Sequence, residues 1–151
     1  MQNKKFLIIL IVVLIGLWFG FKFYVNNKGT GEKVPGEISY INASADLILL
    51  ELPFPDAVVG KEFSVIGKAR GMWFFEASFP IELLDKNGKV IAQSFAQAQG
   101  EWMTEEFVPF RGDIKAPDSY IGPATLVLKK DNASGLPEHD ASISLPITVE
   151  Y

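Results

Sequence analysis

The sequence predicts an all-β domain, an antiparallel sandwich of about seven strands, preceded by one N-terminal transmembrane helix. Three observations carry this. Apolar and polar residues alternate with period 2 in several short stretches, most cleanly at Ile143, Leu145, Ile147 and Val149. Turn residues recur every 8–14 positions between those stretches. Helix-period windows are absent outside a single apolar segment near the start.

That segment is residues 6–25. From Phe6 to Phe21 it contains no charge and no amide. About 20 residues at 1.5 Å each span a hydrocarbon core of roughly 30 Å. Trp18, Phe19 and Tyr24 suit an interfacial aromatic belt. A cleaved signal peptide is the competing reading. It wants small residues just past the apolar core, where this chain has Phe21-Lys22-Phe23-Tyr24; Gly29-Thr30-Gly31 is the only weak candidate. The expected order is a cytoplasmic tail over 1–5, an anchor over 6–25, a flexible linker over 26–46 and one β-domain over 47–151.

With no cysteine in 151 residues, disulfides and thiolate ligands are excluded, so the domain must be held by its core. From Gly36 onward seventeen acidic residues face nine basic ones, a net charge of about −8. That excludes nucleic acid as a partner, since no basic stripe exists to displace counterions.

Taken in order, residues 47–52 form an apolar strand that Pro53-Phe54-Pro55 must end, bending the chain or moving it between sheets. Phe63, Val65, Gly67 and Ala69 alternate with Ser64, Ile66, Lys68 and Arg70 in a second strand. Residues 74–85 read as a third. Phe75, Ala77, Phe79, Ile81 and Leu83 share its inner face; Phe74, Glu76, Ser78, Pro80, Glu82 and Leu84 share its outer face. Lys68 and Arg70 are then expected to pair with Glu76 and Glu82 across strands. Asn87-Gly88 supplies positive φ values for a tight hairpin into residues 90–98. Residues 102–110 read as a strand ending at a turn, Arg111-Gly112-Asp113. Asp118-Ser119-Tyr120 is a corner before a strand at 124–129, and 131–140 is a long polar loop. Pro146 on the outer face of the last strand implies an edge position. The expected core includes Phe63, Val65, Phe75, Phe79, Ile81, Leu145 and Ile147.

Several pieces together resemble a known family: Gly67-x-Ala69-Arg70-Gly71, Trp73-Phe74-Phe75-Glu76-Ala77-Ser78-Phe79, Asp85-x-x-Gly88, Gly100-x-Trp102-Met103-Thr104, Phe107-x-Pro109-Phe110 and Asn132-x-Ser134-Gly135. They look like the immunoglobulin-like domain of bacterial spore-germination and related envelope proteins, one of the GerMN-associated (Gmad) domains, over residues 47–151. The resemblance implies an immunoglobulin-like sandwich, a bacterial source, an envelope location and no catalytic residues.

Chemistry-bearing residues are few. His139 is the only histidine, so no zinc set exists. Ser134, His139 and Asp140 can be written as a triad, but no nucleophile elbow surrounds Ser134. Asp131, Asn132, Glu138 and Asp140 carry calcium-type oxygens without EF-hand spacing, and read better as a hydrogen-bonded loop scaffold. Asn42-Ala43-Ser44 and Asn132-Ala133-Ser134 match the short glycosylation pattern. Glu76 and Glu82 are carboxylates on one strand face, without the opposed elements a glycosidase pair needs. No catalytic, cofactor-binding or metal residue is assigned. The possible partner surface is Trp73, Phe74, Glu76, Trp102 and Phe110, an aromatic group split between core and contact.

These readings combine into an anchored binding or assembly module whose partner is an envelope protein or cell-wall glycan. A small hydrolase using loop carboxylates and a structural spacer are the alternatives. The short N-terminal tail favours a cytoplasmic N-terminus with the domain outside. Protease added to cells stripped of outer layers should then digest the C-terminal domain; protection of that domain in the same stripped, otherwise intact cells reverses the orientation.

Overall fold

The computed structural model describes residues 36–151; the tail, the anchor at 6–25 and the linker up to 35 lie outside the described residues. Nine strands follow in chain order: β1 (Ser39–Ile41), β2 (Ile48–Leu52), β3 (Val58–Val59), β4 (Glu62–Arg70), β5 (Ser78–Asp85), β6 (Val90–Ala98), β7 (Phe107–Lys115), β8 (Gly122–Lys129) and β9 (Ser142–Val149). They run β1-β9-β8-β5-β6-β7-β4-β2, antiparallel throughout, with β3 joining β9 in parallel. The sheet curls so that its halves face each other. Inward residues alternate along each strand: Val65 and Ala69, Phe79, Ile81 and Leu83, Val108, Phe110 and Ile114, Leu126 and Leu128, and the four of β9. Phe79 on β5 meets Phe110 on β7 edge-on, ring centroids 4.9 Å apart.

The proline pair acts as the sequence requires. β2 pairs with β4 on one half, and past Pro53-Phe54-Pro55 the chain crosses to lay β3 on β9. Leu52–Pro53 is cis. The β5–β6 hairpin also forms, but by a different turn. Only Gly88 has positive φ, at 80°, and Asp85 O accepts from Gly88 N while Asp85 N donates to Lys89 O. That is a three-residue loop with a glycine bulge rather than two left-handed residues. Asp85 Oδ1 accepts from Asn87 N and Lys89 N, and the Lys89 bond foremost holds its carboxyl below the ordinary value.

Other expectations are corrected. Ser39–Ile41, inside the expected linker, forms β1 on the outer side of β9. β9 is therefore no edge. β1 and β3 cover it on either side of Pro146, whose carbonyl accepts from Asp56 N at 2.8 Å. Residues 102–106 are loop, and Arg111-Gly112-Asp113 lies in the middle of β7, paired with β4.

The main correction concerns the third strand, which begins at Ser78, not Phe74. Gly71–Trp73 is a 3-10 turn. Phe75 and Ser78 then exchange backbone hydrogen bonds at 3.0 and 3.1 Å, and between them Glu76 and Ala77 have φ of 49° and 62°. Two left-handed residues in a row make a tight reversal that breaks period 2. Phe74 is consequently buried at 4 % exposure, its ring 5.3 Å from Phe79, and Phe75 is turned out at 46 %.

Phe79→Ala and Phe74→Ala should both destabilise heavily, by about 3–5 kcal/mol each, because both leave cavities in the same cluster. Phe75→Ala should cost under about 1 kcal/mol. Thermal melts of the three variants separate them; a Phe74→Ala melt close to wild type refutes this packing.

Candidate functional site

Three connections meet at one end of the sandwich: residues 71–77, 99–106 and 130–141. The first two touch so closely at Gly71 that an added Cβ would lie 2.0 Å from Thr104 O and 2.2 Å from Trp102 O, so only glycine fits. Ala98 N donates to Ala77 O, and Asp131 N donates to Trp73 O, which ties in the third. Arg70 secures the base. Its guanidinium lies 4.1 Å from the Phe107 ring centroid and donates to Asp46 O and Glu105 O, with Glu106 at 3.7 Å.

This end exposes apolar side chains from all three loops: Met72, Phe75, Met103 and Leu136. Around them stand the exposed Glu76, Glu101, Glu105 and Glu138. The expected aromatic surface is corrected here. Trp73, Phe74 and Phe110 are 1 %, 4 % and 1 % exposed and belong to the core around Phe79. Trp73 Nε1 is buried without a hydrogen-bond partner. Trp102 is half-buried, and Glu76 alone of the five is exposed. Met72 and Met103 escaped notice because no sequence pattern distinguishes an exposed methionine from a buried one.

The polar loop is a scaffold. Asn132 Nδ2 donates to Leu136 O and to Asp140 Oδ1, both at 2.8 Å. Ser134 Oγ lies 2.5 Å from Asn132 Oδ1 and 2.9 Å from His139 Nδ1. The serine has one proton; given to the shorter contact, it leaves His139 donating to Ser134. A histidine in that role cannot serve as the serine's base, and Asp140 bonds Asn132, not His139. No group of three or more His, Asp or Glu side chains that could hold a metal ion occurs among the described residues. Both asparagines of the glycosylation pattern use their amides, Asn42 donating to Asp140 O.

The cross-strand pairs are also rearranged, because β5 neighbours β6 and β8, not β4. Glu82, on the outer face yet only 8 % exposed, meets Lys129 Nζ at 2.7 Å and accepts from Gln93 Nε2 at 3.1 Å. On β7, Arg111 donates to Ser64 Oγ at 2.8 Å and lies 3.4 Å from Asp113 Oδ1, to which Ser64 donates at 2.6 Å.

A curled antiparallel sheet whose leading strand is divided between its halves, β2 on β4 and β3 on β9, defines an immunoglobulin-like domain. The chain belongs to the Gmad2 family, the immunoglobulin-like domain of bacterial spore germination, whose profile matches residues 47–135. The match stops inside the polar loop, short of the expected Tyr151, and β9 lies beyond it. The family is not a known enzyme family. No curated protein and no solved structure gives a significant match.

The Ser64 hydrogen bond, foremost, and Arg111 beside it hold the Asp113 carboxyl below the ordinary 3.8. A carboxyl depressed on folding stabilises above its unfolded value, and that contribution is lost as pH falls through the folded one. Asp113→Asn should melt below wild type at pH 7, with the gap closing under pH 3.8. Melts of both proteins across that range test it; a gap unchanged at pH 3 would mean the charge is not involved.

Proposed function

We propose that the chain is a membrane-anchored, extracytoplasmic binding or assembly module of the bacterial cell envelope. The apolar length of residues 6–25 supports the anchor. Membership in a bacterial spore-germination domain family supports an envelope role. The observation that carries binding is the loop end. Met72, Phe75, Met103 and Leu136, from three connections, present apolar surface to solvent on a rigid sandwich. Loops on a scaffold are where such domains make contacts, and methionine adapts to an irregular partner. An envelope protein is the partner this end fits. The hydrolase reading has no comparable support, because Ser134 and Asp140 are both committed to Asn132.

Met72→Ser, Phe75→Ser and Met103→Ser combined should leave the domain folded, lowering its stability by no more than about 2 kcal/mol in total. The same variant should lose crosslinks formed in cells from a photoreactive residue at position 101. Crosslinks that persist undiminished would remove the loop end as the contact.

A further inference from the structure

Strand β6 inverts the usual pattern of large apolar residues inside and small polar ones outside. Its inward residues are small: Ala96 is fully buried and Ala98 partly so. Its outward residues include Phe95, 57 % exposed, with Gln97 exposed and Gln99 exposed just past the strand end. β6 lies beside β7, and an added Cβ at Gly112 would lie 2.9 Å from both Ala96 Cα and Phe95 O, so only glycine fits there. Nothing in the fold requires the phenylalanine outside.

Phe95, Gln97 and Gln99 line an open groove with Arg111, Gly112 and Asp113. Outward residues on a strand repeat at about 6.6 Å, so the three form a row about 13 Å long. The side-chain amide of Gln97 has no hydrogen-bond partner among the described residues, and Gln99 uses one amide proton on Gln97 O. Arg111 is neutralised by Asp113 at 3.4 Å. In a domain of about −8, this groove therefore carries an aromatic face, two amides and no net charge.

We propose that this groove binds an uncharged pyranose glycan chain, with Phe95 under a sugar ring and Gln97, Gln99 and Arg111 on its hydroxyls. A sugar ring offers a C–H face that packs on an aromatic ring, and hydroxyls that both donate and accept. Amides do both as well, and the guanidinium adds directed donors. An anionic ligand is disfavoured because Asp113 and Ser64 already occupy Arg111. A peptide adding as a strand has no free edge on the groove floor, since β6 and β7 pair there at Gln97 with Arg111 and Ala98 with Phe110. This names the ligand class within the envelope reading above and rests on it for where such a glycan would be met.

The full chain in a sugar-free zwitterionic detergent is titrated calorimetrically with chitohexaose, and sedimented with insoluble chitin, both uncharged polymers of one pyranose. Wild type should bind both. Phe95→Ala should weaken chitohexaose binding by roughly tenfold or more, Phe95→Tyr should retain it, and Gln97→Ala should weaken it. Because Phe95 is exposed, Phe95→Ala should melt as wild type does, which separates lost binding from lost fold. Wild type binding neither probe overturns the proposal. So does Phe95→Ala binding as tightly as wild type, or a row that serves only to associate copies of the chain. A domain accessible outside the cytoplasm that binds neither probe sinks the groove alone; one that binds chitohexaose yet stays protected inside cells sinks the envelope reading alone.

Discussion

The structure depends on one side chain, Phe79. It sits fully buried between the halves of the curled sheet, edge-on to Phe110 from the opposite half and against Trp73 and Phe74 from the loop end. Phe79 meets Phe110 and Trp73 edge to face, the positive edge of one ring on the negative face of the other, and Phe74 at a tilt of 58°, so the cluster fixes angle as well as distance. With no cysteine in the chain, this aromatic packing and the aliphatic rows around it do what a disulfide does in many immunoglobulin-like domains. It also sets the loop end: Trp73 and Phe74 are drawn inward, and Met72 and Phe75 on either side of them are left in solvent.

Period-2 alternation was legible wherever a strand is regular. The alternation of β9 and β4 and the inner face of β5 from Phe79 to Leu83 follow parity, although β9 is not the edge that Pro146 suggests. Alternation breaks at Phe74 for a local reason. Glu76 and Ala77 adopt left-handed φ without the glycine or asparagine that would announce it, so the reversal left no mark in the sequence and parity was carried one turn too far. β1 and β3 were missed because three and two residues hold no periodicity, and their pairing with β9 joins segments far apart in the chain. The charge pairs went astray for the same reason: local pattern does not say which strand lies beside which. Of the expected contact residues, exposure could not be read from aromatic type alone, since the same residue serves core and surface.

Function follows from what the core leaves over. The core takes Trp73, Phe74, Phe79 and Phe110, and the large apolar residues that remain outside are not scattered evenly. Several collect where loops meet at one end, and Phe95 stands alone on the side among amides. The first grouping comes from three loops; the second follows a strand, with Gln99 just past its end. These are two different kinds of surface, and a module standing between a protein and a repeating polymer would have use for both.

The arrangement of strands on β9 has a mechanical meaning. β1 runs antiparallel to it and β3 parallel, on the same side. A pull that draws the start of the domain away from its C-terminus therefore loads the two pairings differently. β1 is peeled from its end, one rung at a time. β3 is dragged lengthwise along its partner, so its hydrogen bonds resist together. For a domain held by its leading end, β1 is then slack that can be given up first, and the short parallel strand, which the pull reaches only through β2 on β4, is the clasp on β9.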